Sequence, residues 1–451
     1  TGVQTCALPI YCLLKIMIND ATNNLVNDFT GTINLSSNST NVIMPNTITF
    51  TAADNGHKDV SIRYTENGNY TIYANAVSSN MPITGTFTSN LIFVSNDSMQ
   101  LFWGDFHTHT QFSRDGFGSN SYEYAKNAIG LDFFCATDHS DMNQIDTFGI
   151  NTLEWNNMIQ QSKSVHQNKR FISFLGYENS LDNPSGHYNF IYNYADSNTS
   201  KIPMLARHFQ FNIQNFWTKL NQLNVTVEAM TIPHHTGKIF SANGQNAECS
   251  RFGGTFKNDK YKRLIEIYSA PGLCESFNPN HNLSYEKFNA KSTTFPCYAQ
   301  DAWALREYLG VIASTDSHSG QAAANNIGIC AVYADSLTRD NIFHHAYNRH
   351  TYATTGERII LKLSINNHIM GDTFSIRCDS LPFIKTQVIG TDNIDYIELL
   401  KWDFINGTSS GNQKHPNFEI LKKITPATNT TIYNFNYVDV DYRDSSIYYI
   451  R

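Results

Sequence analysis

Seven of the sixteen histidines in this 451-residue chain fall where an apolar, strand-like run gives way to polar residues. His107 and His109 form an HxH after MQLFWGDF. Strand side chains alternate with period two, so both imidazoles are expected on one face. Asp115 follows in the loop FSRDG. His139 ends a second run in ATDHSD, and Glu178 ends a third in FLGYE. His187 opens the next run in SGHYNF, while His234 and His235 close VTVEAMTIPHH. Asp316 and His318 form a DxH after GVIAST, again on one face. A single histidine in such a place is ordinarily a packed, hydrogen-bonded core residue. A whole series of imidazoles and carboxylates at strand ends is instead a ligand set for zinc, manganese or iron, with no thiolate needed.

The elements that must position these residues lie between about 99 and 357. Strand-like MQLFWGDF, LDFFCAT, RFISFLGYE, HYNFIYN, VTVEAMTI, RLIEIYS and GVIAST are interleaved with helical stretches. These include SYEYAKNAI, with Asn120 or Ser121 near its N-cap and Gly130 past its end, the stretch around Leu153–Val165, FNIQNFWTKLNQL and DAWALREYL. Seven or so alternating units point to a parallel βα barrel, whose strand C-termini converge on one mouth. An open doubly wound sheet is the competitor, but no Gly-rich phosphate loop follows the first strand.

Both flanks read as strands without helices. From 11 to 98 short alternating runs such as NTITFTAA, KDVSIRYT and NYTIYANAV are separated by turn signals, which favours an immunoglobulin-like β-sandwich. From 358 to 451 the runs RIILKLSIN, FIKTQVIG, IDYIELLKW and TTIYNFNYV predict a second sandwich. The overall expectation is therefore α/β, a barrel between two all-β domains. Residues 1–10 (TGVQTCALPI) look like a translated sequencing adapter and are set aside from fold reasoning. The strand-like SSIYYI directly before Arg451 suggests a truncated second sandwich.

A net charge of −7 argues against stable nucleic-acid binding through a basic face. No apolar run approaches the roughly 18 residues of a membrane-spanning helix. None of the eight cysteines falls in a CxxC pair; Cys249, Cys274 and Cys297 could supply a disulfide, while Cys135 and Cys330 read as free and buried. The sequons at Asn38, Asn69 and Asn96 are mostly compositional in an Asn-rich stretch, yet with the sandwiches they tilt the reading toward an exported, periplasmic or extracellular chain. Oligomeric state is left open.

The ordered series HTH…D, TDH, GYE, GH, PHH and TDSH resembles the PHP superfamily, named for polymerase and histidinol phosphatase. The flanking FWGDFHTHTQFS, RLIEIYSAPG, AVYADSLTRDNIF and NRHTYATTGERI are similar to a large branch of it labelled as a domain of unknown function. The resemblance covers roughly 100–365. It implies a distorted seven-stranded barrel holding two or three divalent ions. His107 and His109 would bind one ion, with Glu178 bridging to a second and Asp115 and His139 completing that cluster. His187 and one of His234 or His235 would serve the second ion, and Asp316 with His318 would close the site. Asp115 stands where some relatives have His.

The chemistry then follows from charge. Three divalent ions carry about +6 against about −4 from three carboxylates and a bridging hydroxide, and the remaining +2 matches a phosphomonoester dianion. The expected activity is hydrolysis of a phosphate mono- or diester by that hydroxide, on a phosphorylated small molecule or polymer. His235 or His208 would protonate the leaving alkoxide, and Asp138 would orient an imidazole through its other nitrogen. Arg114, Lys238 and Arg251 are candidates for binding phosphate oxygens. Glu266 sits near the mouth, either supporting the site or buried with an ordinary partner. His344 and His345 read as helix-face packing or solvent-exposed residues, and Tyr352 and Arg358 as domain packing at the barrel-to-sandwich junction. Two alternatives stand beside this reading. An amidohydrolase-like enzyme would cleave an amide or lactone, but such sites bridge their metals with a carbamylated Lys, and no barrel-strand Lys presents itself. A non-catalytic, glycan-binding surface protein would not need the complete ligand set.

Overall fold

The computed structural model describes residues 10–140, 149–181, 184–197, 202, 204–205, 212–222, 228–238, 249–278, 280–284, 296–323, 327–405 and 415–451. His208, and residues 1–9 of the segment set aside above, lie outside the described residues. Residue 10 does not: Ile10 opens the strand Ile10–Met17 and pairs with Tyr64.

The structure is mixed α/β, rich in sheet and poor in helix. Its middle part contains a five-stranded sheet in the order Ile172–Ser173, Phe133–Phe134, Gln100–Asp105, Ile329–Ala334, Thr351–Thr354. The first three strands run parallel, and the last two are antiparallel additions. A second sheet joins Leu175–Ser180, His187–Asn193 and Glu228–Pro233, all antiparallel. A third pairs Leu264–Ser269 with Gly310–Ala313 in parallel and carries the short strand Gly272–Leu273.

The expected closed barrel of seven parallel strands is not formed among the described residues. One reason is the connection between Ser180 and His187, which is too short for the dozen or more residues a parallel crossover needs and so folds as a hairpin. The three sheets nevertheless surround one core, to which Phe106, Phe133, Phe174, Ile191, Ile232 and Ile312 contribute fully buried side chains. Two isolated parallel bridges, Thr108–Ser317 and His139–Glu178, tie the sheets together where the strands end.

Helices pack around these sheets, two of them in a separate cluster with Phe134, Tyr177 and Phe190. Thr152–Val165 begins with a capping box: the Asn151 side chain accepts from the Leu153 and Glu154 amides, and Glu154 reaches back to the Asn151 amide. It buries Trp155, Met158 and Ile159. Ile213–Gln222 buries Phe216 and Trp217, and Thr338 caps Arg339–Tyr347 by accepting from the Asn341 amide. SYEYAKNAI forms only a short α turn, Ser121–Glu123, followed by a π turn, Tyr124–Ala128.

On the N-terminal side, antiparallel sheets share a core of Phe29, Ile33, Leu35, Phe50, Ile62 and Tyr64. On the C-terminal side the sheets containing Phe383–Ile389 and Ile397–Asp403 face each other across Leu363, Ile384 and Leu399. Among the described residues, no helix is long and apolar enough to cross a membrane.

Candidate metal centre

The strands of the three sheets gather nearly all the predicted ligands into three groups, within each of which the ligand atoms lie within 4.8 Å of one another. His107, His109, Glu178 and Asp316 form one; Glu178, His187, His234 and His235 a second; His109, Asp115, His139 and His318 a third. The groups interlock because Glu178 belongs to two of them and His109 to two.

In the first group the Nε2 atoms of His107 and His109 stand 3.3 Å apart, and each is about as far from Asp316 Oδ1, at 3.3 and 3.4 Å. Glu178 Oε2 lies 3.1 Å from His107 Nε2 and 3.0 Å from His109 Nε2. In the second, Glu178 Oε1 lies 2.7 Å from His187 Nδ1 and 3.2 Å from His234 Nε2. The third is more open: Asp115, with its side chain 54% exposed, reaches His139 Nε2 at 3.4 Å and His318 Nε2 at 3.3 Å.

Several local devices aim these side chains. Glu266 Oε2 takes His107 Nδ1 at 2.9 Å, leaving Nε2 to face the group. Ser113 Oγ does the same for His109 Nδ1 at 2.9 Å, and Ser180 Oγ lies 3.2 Å from His139 Nδ1. Fully buried Asp105 accepts from the His107 amide, the Thr315 hydroxyl and the Ala323 amide, locking the HxH loop to the DxH loop. Gly186, just before His187, has φ +77°, and a Cβ there would sit 1.6 Å from Ser250 Oγ. His235 (φ 32°) and Asp316 (φ 49°) adopt the left-handed region without being glycine, a strain typical of functional positions.

The electrostatics fit cation binding. Burial disfavours charge on His109, yet Asp316 and Glu178 hold its imidazolium up to about 10. Burial also works against the Glu178 carboxylate, but His139, His234 and His107 keep it well below the usual range. Burial takes His187 down to about 4, in the neutral form a metal requires. Asp115 is held below the usual range by its hydrogen bonds to His139 and His318.

The donor set therefore suits divalent ions. Two ligands ~2.1 Å from one tetrahedral ion stand about 3.4 Å apart, close to the spacings in the first group. His234 is fully buried, and neither of its ring nitrogens has a hydrogen-bond partner among the described residues. Its approach to Glu178 is what a pair of ligands awaiting an ion presents.

Asp138, expected to orient an imidazole, pairs among the described residues with the HxH turn instead: it accepts from the Thr110 amide at 2.6 Å, the Thr110 hydroxyl at 2.9 Å and the Ser113 amide at 3.1 Å. Asp115 and His139 gather with His109 and His318, and Asp316 Oδ1 lies 3.7 Å from His318 Nδ1. His234 and His235 both enter the second group. Arg114 is exposed beside Asp115, and Lys238 donates its amide to His235 O at 2.9 Å. The Arg251 amide donates to Pro184 O at 2.9 Å. A disulfide joins Cys249 to Cys297 nearby, leaving Cys274 a buried thiol. Sequence reasoning missed Asp105, Ser113 and Ser180; Asp105 alone left a signal, a carboxylate ending an apolar strand. His344 pairs with Glu228 at 2.8 Å, away from the centre.

Residues 321–375 match the family described as Protein of unknown function (DUF3604). Uncharacterized proteins of Chlamydia trachomatis serovar D and Chlamydia muridarum are each 22% identical, over 327 and 324 residues, or 67% of this chain. The chain spans about half the length of these relatives, 48% of each. A two-domain protein from Bacteroides vulgatus, described as containing a predicted PHP-like metal-dependent phosphoesterase, is similar in structure with a TM-score of 0.40 and 14% identity. That likeness covers 76% of this chain and 87% of the other. A protein from Bifidobacterium adolescentis, provisionally named a metal-dependent phosphoesterase, gives a TM-score of 0.27 and 11% identity over 48% of this chain and 88% of its own. At these scores the folds correspond loosely, and the site stands on its own geometry.

Proposed function

We propose that this chain is a metal-dependent hydrolase, specifically a phosphoesterase of the PHP type that cleaves a phosphate mono- or diester. The observation that carries the reading is the interlocking of three ligand groups through Glu178 and His109. His107, His109, Glu178, Asp316 and the neighbouring groups would hold two or three zinc, manganese or iron ions, which when bound would supply an acidified water and charge neutralisation for phosphate oxygens. The chain's own residues supply the rest. Glu266 and Ser113 fix the ring orientations of His107 and His109. The open group around Asp115 gives a phosphate ester its way in, and Lys238 and Arg251 bind its oxygens from the side of His235. A shared carboxylate, Glu178, fits this chemistry better than amide or lactone cleavage at a carbamylated Lys.

We place this site in an opened, seven-stranded PHP-type barrel over about 99–357, between β-sandwiches over 11–98 and 358–451. The Cys249–Cys297 disulfide supports an exported chain.

The test is metal content by elemental mass spectrometry beside assays with p-nitrophenyl phosphate and bis-p-nitrophenyl phosphate, on wild type and His107→Ala. Two to three ions per chain, reduced in the variant together with at least a hundredfold of the activity, is the expected result. Metal without either activity would move the assignment to another hydrolysed bond, and a folded protein that takes up no metal would overturn it.

A further inference from the structure

Beneath the ligands lies a second layer of polar groups that the proposed chemistry does not use. Asn189 stands on the strand His187–Asn193, opposite Glu178 on one neighbour and Ile232 on the other. Directly opposite residues of antiparallel strands share a face, so the Asn189 carboxamide stands beside the carboxylate shared by two ligand groups. On that face His187 precedes it by two residues and the core residue Ile191 follows by two. Asn189 is 1% exposed, and neither its Nδ2 nor its Oδ1 has a hydrogen-bond partner among the described residues.

Three neighbours of the ligands share this condition. Thr137 Oγ1, two residues before His139, and Ser314 Oγ, two before Asp316, are fully buried without a partner. So is Glu266 Oε1, whose other oxygen holds His107. Glu266 stands on the strand Leu264–Ser269, and Ser314 directly follows the strand Gly310–Ala313 that pairs with it. Protein interiors rarely leave a donor and several acceptors idle in one layer, and buried water that makes about three hydrogen bonds is the usual answer.

Resting on the metal-centre reading, we propose that this layer holds ordered water and that Asn189 is its anchor, a positioning residue that fixes Glu178 through that water. The carboxamide offers the layer both a donor and an acceptor; Thr137 and Ser314 can turn their hydroxyls to complete the network.

The test compares wild type, Asn189→Leu and Asn189→Ser for Mn²⁺ and Zn²⁺ affinity by chelator competition and for thermal stability without metal. Removing both polar atoms with near-equal volume in Asn189→Leu is expected to weaken metal binding about 10- to 100-fold while metal-free stability stays level or rises. Asn189→Ser, which keeps a polar group and room for a second water, is expected to retain affinity within about fivefold. A crystal structure should show water within hydrogen-bond distance of the carboxamide. Wild-type metal uptake with unchanged Asn189→Leu affinity, or a dry unpaired carboxamide in the crystal, would overturn this proposal alone. Absence of metal uptake by wild type would overturn it together with the reading beneath it.

Discussion

Glu178 and Asp115 mark the two extremes of the centre at the scale of single residues. Glu178 is buried and serves two ligand groups, whereas Asp115 is half in solvent and serves one. Glu178→Gln is therefore expected to lower bound metal by about two ions per chain and Asp115→Asn by at most one, with elemental analysis after gel filtration as the measurement. The protonation of His109 gives a second prediction. Its imidazolium is held up to about 10, above the ordinary 6.5, so its contribution to metal-free stability is full below about pH 6.5 and is lost as pH rises through 10. Metal uptake at pH 7.5 must displace that proton, and calorimetry in buffers of different ionisation enthalpy should register its release. The candidate ligands were legible in the sequence because His and Asp at strand ends have few other reasons to recur. Ser113 and Ser180 were not, since a serine in a turn looks the same whether it orients a ring or faces water.

At the scale of elements, strand positions were readable and strand directions were not. Apolar runs such as HYNFIYN were recognisable, but pattern alone does not tell a hairpin from a crossover; the six residues between Ser180 and His187 do. The disulfide shows the same limit. Three candidate cysteines left the pairing open, and the structure chooses Cys249–Cys297, fastening the segment that carries Arg251 to the start of the helix Ala299–Ala304. Closing a loop across 48 residues of sequence separation is worth about 4 kcal/mol in the chain-entropy account. A Cys249→Ser/Cys297→Ser variant is expected to lose stability of that order in urea denaturation, with a larger fall in phosphate-ester affinity than in metal content.

At the scale of the whole molecule, the change of texture along the chain pointed to strand-only flanks around a mixed middle and put Tyr352 and Arg358 at a junction, but most contacts between the parts left no signal in the sequence. Such contacts depend on single polar side chains far apart in sequence. Lys15 reaches Asp132 at 3.3 Å and Arg170 reaches Asp59 at 2.8 Å on one side. On the other, buried Glu275 accepts from Tyr449 at 2.5 Å and from Arg451 at 2.9 Å. Removing one member of a buried charged network is costly because its partners stay desolvated, so Glu275→Ala is expected to destabilise by about 3 kcal/mol. Hydrogen exchange should quicken across Ile432–Val438 and Ser446–Ile450 while the strands around His187 stay protected.

The sharing of His109 and Glu178 also decides where this chain can drift. A substitution at either changes two ligand groups at once, so no single compensating change elsewhere restores both. Asp115 and His187 each belong to one group, and a replacement there asks for a local adjustment only. Under the proposed function, tolerated substitutions are therefore expected at the rim around Asp115, and with them any change of metal, while the shared pair acts as a hinge-pin whose loss would cost both ligand groups together.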